Sequence, residues 1–324
     1  MYTWTDIESL FQPLTNFLGS GNLGVDVFLF LSGACLALSF RGKEKIDLKG
    51  YFLRRLLRIG IPYLLISIPY WAWKCIVEVP EKTVGRSILK FVADSSSASF
   101  WLHGTQTTWF VFAIALFYIL FPLIYRIISD RTLWHSIALL IVAWVIAALS
   151  IYVPVWKESA IAWTRLPIFI IGSIAGYHME KCDLSGRKRT AIGLVCCSWL
   201  IFFGCCVIFS LRDNIGKQGF LWISYGFISM AVLLCLTSLT YVGKSVIRVI
   251  DSVFSKVGYC SLELYLVHIP VLHILRFTGV LEKAGGWNYL LVPAISLPVA
   301  LLMAYICGKL RKRPVKKSER LREN

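Results

Sequence analysis

Residues 108–128 read TWFVFAIALFYILFPLIYRII, a stretch whose one charge is Arg126. Wound as an α-helix, a run of this length spans about 30 Å, the thickness of a bilayer's hydrocarbon core. Comparable apolar runs lie at 23–40, 59–77, 136–153, 164–180, 190–210, 219–242, 256–277 and 288–308. In lipid every backbone N–H and C=O must find its partner within the segment, and a helix does this alone. The expected fold is therefore all-α: a polytopic transmembrane helix bundle of about nine spans. Ser129-Asp130-Arg131 is the polar break that separates the third span from the fourth.

Composition points the same way. Of 324 residues, 57% are hydrophobic and 16% charged, and mean hydropathy is +0.68. A soluble domain carries nearer a quarter charged residues. The loops left between spans are short, so one transmembrane domain is expected over 1–310, with a basic cytoplasmic tail at 311–324. There is no internal repeat. The net charge of +16 would suggest a nucleic-acid partner on a soluble chain. Here the cations sit between apolar runs, so topology accounts for them and no nucleic acid is expected.

Of the 34 Lys and Arg, 24 fall on one side of the alternating spans, in 41–58, 126–135, 181–189, 243–256 and the tail from Lys309. The other 10 fall in 1–22, 74–107, 154–165, 211–218 and 276–287. The richer side is cytoplasmic by the positive-inside rule. The N-terminus is then outside and the C-terminus cytoplasmic, which an odd number of spans satisfies. That inner face would attract anionic headgroups and anionic cytosolic ligands. The longest outer loop, 78–107, contains Asp94, Ser95-Ser96-Ser97, Trp101 and His103. It reads either as a cover over an outward cavity or as a re-entrant or solvated loop. The cysteines, among them Cys35, Cys260 and Cys307, fall mostly inside apolar runs without zinc spacing, so packed thiols are expected and no metal site.

Ionisable and polar residues within spans are the functional candidates. Asp26, in Gly24-Val25-Asp26-Val27-Phe28, needs an arginine, a histidine or a helix N-terminus as partner, or else caps a helix at the interface. Arg54 and Arg58 share a helix face at i and i+4, beside Arg55. They read as a phosphate clamp or as ordinary inner-face anchors. Ser261, Tyr265 and His268 form one stripe along the eighth span, and His268 precedes Pro270 near mid-membrane. A histidine there acts as a base or bonds a neighbouring helix. Glu263, on another face, also needs a partner. Arg165, at the mouth of the fifth span, either snorkels or binds a polar substrate. Trp109 is an interface anchor or a sugar-stacking platform. His103, His135, His178 and His273 read as surface or packing residues. Gly172-x-x-x-Gly176 suits an oligomer interface and internal packing equally, so oligomeric state stays open.

Taken together and in order, these segments resemble the acyltransferase-3 family, membrane enzymes that acylate bacterial glycans. The matching residues are Gly24 to Phe28 with Ser32-Gly33; Arg54, Arg55 and Arg58 with Ile59, Pro62 and Tyr63; Trp109-Phe110 with Tyr118 and Pro122; Arg165 with Phe169 and Gly172; and Ser261, Tyr265, Leu266, His268 and Pro270. They cover about 23–275.

The resemblance implies a multi-pass protein of a bacterial inner membrane. It would move an acyl group, commonly acetyl, from cytosolic acyl-CoA to a hydroxyl of a cell-surface or lipid-linked glycan. Acyl-CoA is then a donor substrate, and no bound cofactor is implied. It also implies CoA-phosphate binding by Arg54, Arg55 and Arg58, and substrate contacts from Trp109, Arg165, Tyr265, Ser261 and His103. A sugar hydroxyl is a poor nucleophile at neutral pH and needs a general base. The family's base is a histidine on a first helix that also bears an arginine. The 22 residues before Leu23 contain neither. The expectation is a chain lacking that helix and showing little or no transfer, with His268 the first substitute base, His103 the second, and Asp26 the catalytic carboxylate. A transporter or flippase for a polar or polyprenyl-linked solute is the alternative. Against it stands the missing repeat, which transporters often carry.

Overall fold

A computed structural model describes residues 22–43, 46–77, 84–96, 98–103, 108–129, 132–178, 255–284 and 288–323. Every regular element among them is helical. Five helices there are long and apolar enough to cross a membrane, Leu48–Val77, Trp109–Ser129, Trp134–Tyr152, Ala160–His178 and Leu290–Arg311, and Gly24–Phe40 is a shorter apolar one. The spans expected at 190–210 and 219–242 lie outside the described residues. The chain divides into two compact units, Met1–Ile46 with Ile119–Ser245, and Asp47–Tyr118 with Val246–Asn324.

In the first unit, α1 (Asn22–Phe40) lies along the helix Leu166–His178. The approach is backbone to backbone. A Cβ on Gly172 would land on the Phe30 carbonyl, one on Gly176 on the Ala34 carbonyl, and one on Gly33 on the Phe169 carbonyl. Small residues are what allow such contact where water gives no drive for helices to associate. The Gly172-x-x-x-Gly176 face is thus spent on internal packing. Beyond the glycines the contact is aromatic. Phe40 meets Phe121 and Tyr125 edge-on with centroids 5.1 and 5.3 Å apart, and Phe121 meets Phe169 at 6.2 Å. The Leu133–Tyr152 helix turns Ile141, Val142 and Val145 outward, the surface a lipid-facing helix presents.

In the second unit, the helical run Leu48–Val77, 30 residues, is longer than the span expected at 59–77. The sequence places residues 41–58 on the inner side with Arg54 and Arg58 on one helix face, and the helix that carries them starts at Leu48. The Asp47 carboxylate accepts the Gly50 N–H at 2.9 Å and satisfies an orphan donor of the first turn. Its sequence, LKGYFLRRLLRIGIP, is amphipathic rather than uniformly apolar, so hydropathy alone hides its start. Pro62 has no N–H to offer the Arg58 carbonyl, and a π-helical segment, Tyr63–Ser67, follows directly, closed by Ile68 N–H to Tyr63 O. The helix then resumes over Ile68–Val77.

The described part of the 78–107 segment is helical, in Val84–Ser95 and Ala98–His103. It is docked rather than loose. Tyr63 donates its hydroxyl to Ser95 O at 2.8 Å, and Phe100 packs on Phe112. The helix Ser261–Phe277 packs against the last helix, Asn288–Glu323, with Cys260, Ala300 and Ala304 buried between them. That last helix continues through the described part of the basic tail.

Candidate active site

Among the described residues, the first unit holds one buried charge pair. Arg165 Nε lies 2.9 Å from Asp26 Oδ1, and both side chains are fully buried. Arg165 also donates from Nη1 to the Ile161 carbonyl at 2.9 Å. Of the partners open to Asp26, the arginine is the one found, and the interfacial capping role falls away. Snorkelling by Arg165 falls away for the same reason. The pair ties α1 to the start of Leu166–His178, one end of the glycine-mediated contact.

The second unit gathers the other candidates along Ser261–Phe277. Near its start, Glu263 is fully buried and accepts from Arg311 Nη2 at 2.6 Å. A carboxylate this deep requires such a partner, because the desolvation of a lone ion costs several kcal/mol. Arg58 enters the same group. Its Nη2 donates to the Tyr259 carbonyl at 3.4 Å, and it lies within electrostatic reach of both Glu263 and Arg311. Arg54, one turn back, is exposed. Arg55 is held differently, its guanidinium over the rings of Tyr51 and Tyr118 at 5.8 and 5.3 Å. The buried Tyr51 hydroxyl donates to the Tyr118 carbonyl at 2.9 Å and fixes that aromatic floor.

Five residues along from Glu263, about 7.5 Å of helix rise, His268 places Nδ1 3.3 Å from the Leu264 carbonyl. A carbonyl can only accept, so Nδ1 carries the proton and Nε2 keeps the lone pair. The imidazole stands 5.6 Å from the Tyr265 ring, which meets Phe110 edge-on at 5.0 Å. The Trp109-Phe110 and Tyr265-His268 motifs are thus joined through Phe110. Trp109 is buried beside Phe110, which sets aside the interface-anchor reading. Ser261 donates to the Gly258 carbonyl at 2.9 Å, closing its own helix start. His103 is exposed at the end of Ala98–His103.

Two partnerships escaped the sequence. Arg311 reads as the first residue of a tail, yet it neutralises Glu263. Cys307 and Arg311 are i and i+4 on the last helix, and a buried carboxylate at 263 demanded a cation at that depth. His273, read as a surface or packing residue, shares a hydrogen bond with the Tyr70 hydroxyl, 2.8 Å from Nδ1. No signal in the sequence links those two.

A family model described as "Acyltransferase domain", that of the acyltransferase-3 family, matches residues 2–309. The match is wider on both sides than the 23–275 its motifs cover. No curated protein and no solved structure matches the chain.

Proposed function

The chain belongs to the acyltransferase-3 family and is a multi-pass membrane protein, and from that premise we propose that it transfers an acyl group, acetyl first among them, from acyl-CoA to a glycan hydroxyl. The observation that carries this is one helix that runs from a charge cluster shared by three helices to a half-buried histidine. Ser261–Phe277 has the Arg58, Glu263 and Arg311 charges at its start and a tautomerically fixed histidine a turn and a half further on.

On the orientation set by the basic residues, the arginine end faces the cytosol, where acyl-CoA is made. Arg54 and Arg58 bind its phosphates from one helix face, and Arg55, braced by two tyrosines, adds charge beside them. His268 is the base. Its Nε2 takes the proton of an acceptor hydroxyl as the oxygen attacks the thioester carbonyl. The new C–O bond forms, the C–S bond breaks, and the proton returns from the imidazolium to the departing CoA thiolate.

Tyr265, Trp109 and His103 supply contacts to the acceptor, a cell-surface or lipid-linked sugar at the outer side of a bacterial inner membrane, whereas Ser261, at the arginine end with its hydroxyl on the Gly258 carbonyl, is left out of that set. We assign the buried Asp26–Arg165 pair to holding the first unit together. The deciding experiment supplies labelled acetyl-CoA to membranes and follows the label into glycan. Whatever transfer the unaltered chain retains, low on the expectation of a missing first helix, should fall at least tenfold in Arg58→Ala and about 100-fold in His268→Gln, the scale of a missing general base. Label that never reaches glycan, with the polar solute crossing the membrane instead, would make the chain a transporter.

A further inference from the structure

Arg311 belongs to none of the motifs above, yet it completes a charge cluster that Arg58 and Glu263 begin. Three helices contribute one residue each: Leu48–Pro62, Ser261–Phe277 and Asn288–Glu323. The cluster holds two guanidiniums and one carboxylate. Glu263 is fully buried and bonded through Oε1, so it neutralises Arg311 in part and fixes its position. Arg311 keeps one fifth of its side chain exposed, and its Nε makes no hydrogen bond. Arg58, half-buried, spends one N–H on a long bond to a carbonyl.

A guanidinium has five donors in a planar fork. Among the described residues, Arg311 spends donors on Glu263 and on the Cys307 sulfur and Arg58 spends one on the Tyr259 carbonyl, so most donors of the two arginines meet no described acceptor, and the group carries a net positive charge. Like charges this close repel unless an anion lies between them. A phosphate monoester, at roughly −1.5 to −2 charge with three acceptor oxygens, suits such a pair better than a diester with a single charge.

We propose that Arg311 is a third phosphate-binding arginine of the donor site, and that with Arg58 it grips the 3′-phosphate monoester of coenzyme A while Glu263 positions it. This rests on acyl-CoA being the donor and adds the residue that reads which CoA is bound. Glu263 is a positioning residue, since it reaches the phosphate only through Arg311.

The test is equilibrium binding of radiolabelled coenzyme A and of 3′-dephospho-coenzyme A to the purified full chain in detergent. The unaltered chain is expected to prefer coenzyme A by tenfold or more. Arg311→Ala should weaken coenzyme A about tenfold and leave the dephospho form unchanged, removing the preference, and Arg311→Lys should restore part of it. Equal weakening of both ligands, or of neither, overturns the inference and leaves Arg311 as the mere counter-ion of Glu263. An unaltered chain that binds neither ligand overturns the acyl-CoA reading itself. Should Arg311→Ala fail to fold, the Lys variant and a Glu263→Asp chain, whose shorter carboxylate draws Arg311 back, carry the same comparison. Each should show a smaller preference for the monoester than the unaltered chain, and either one keeping it in full would overturn the inference.

Discussion

Asp26 and Arg165 are each costly alone and tolerable together. Removing one partner of a buried pair leaves an uncompensated charge and costs about 3–5 kcal/mol, whereas replacing both with apolar residues of similar volume is often neutral. Asp26→Leu and Arg165→Met should therefore each lower the melting temperature in detergent sharply, and the double variant should recover most of the loss. A double variant as unstable as the worse single one would mean that the pair does more than neutralise itself. The sequence made the need for a partner legible, since a carboxylate inside an apolar run demands one. It could not choose between arginine, histidine and a helix end, because that choice depends on which distant helix comes alongside. The same limit hid Arg311. Its position beside a run of lysines and arginines matches a solvated tail, and only the neighbouring carboxylate distinguishes it.

At the level of elements, the contact between α1 and Leu166–His178 depends on three missing side chains. Gly172→Val should overpack it by about 1–3 kcal/mol, because the atom in the way is the Phe30 carbonyl, and backbone cannot rotate aside. Gly60→Ala makes the control. The nearest atom to its new Cβ is a leucine methyl at 3.9 Å, so it should be neutral or stabilising by roughly 0.5–1 kcal/mol. Thermal unfolding of the two variants side by side separates crowding from loss of glycine flexibility. The small-residue spacing was visible in the sequence, but its use was not, for an internal seam and an oligomer face need the same residues. Leu48–Pro62 shows the opposite failure. Its cap, Asp47, and its amphipathic pattern were both readable, yet a search for apolar runs passes over a helix that interleaves lysine and arginine with leucine.

For the whole molecule, the positive-inside count gives a topology that labelling can check. In a chain stripped of native cysteines, Lys90→Cys should react with an impermeant maleimide in intact cells, and Lys49→Cys should react only after permeabilisation. Both positions are exposed. Reversed labelling would invert the chain and move the proposed donor site to the wrong face. The apolar runs in the described residues were legible because lipid imposes a single rule on every segment. Docking of Val84–Ser95 and Ala98–His103 was not, since short helices outside the core obey the ordinary balance of local contacts.

The π-helical turn at Tyr63–Ser67 works as a phase shifter. One surplus residue in a helix offsets everything beyond it by about 100° relative to a straight α-helix. Arg54 and Arg58 before the turn, and Tyr70 after it, therefore follow two separate angular registers, and the offset lets Tyr70 reach His273 while Arg58 stays beside Glu263. Deleting Leu65 should collapse the turn into plain α-helix and swing Tyr70 away. A bismaleimide link between Tyr70→Cys and His273→Cys, efficient in the full-length register, should then disappear. In this helix a one-residue indel would act less like a loop edit than like a twist applied to half a span.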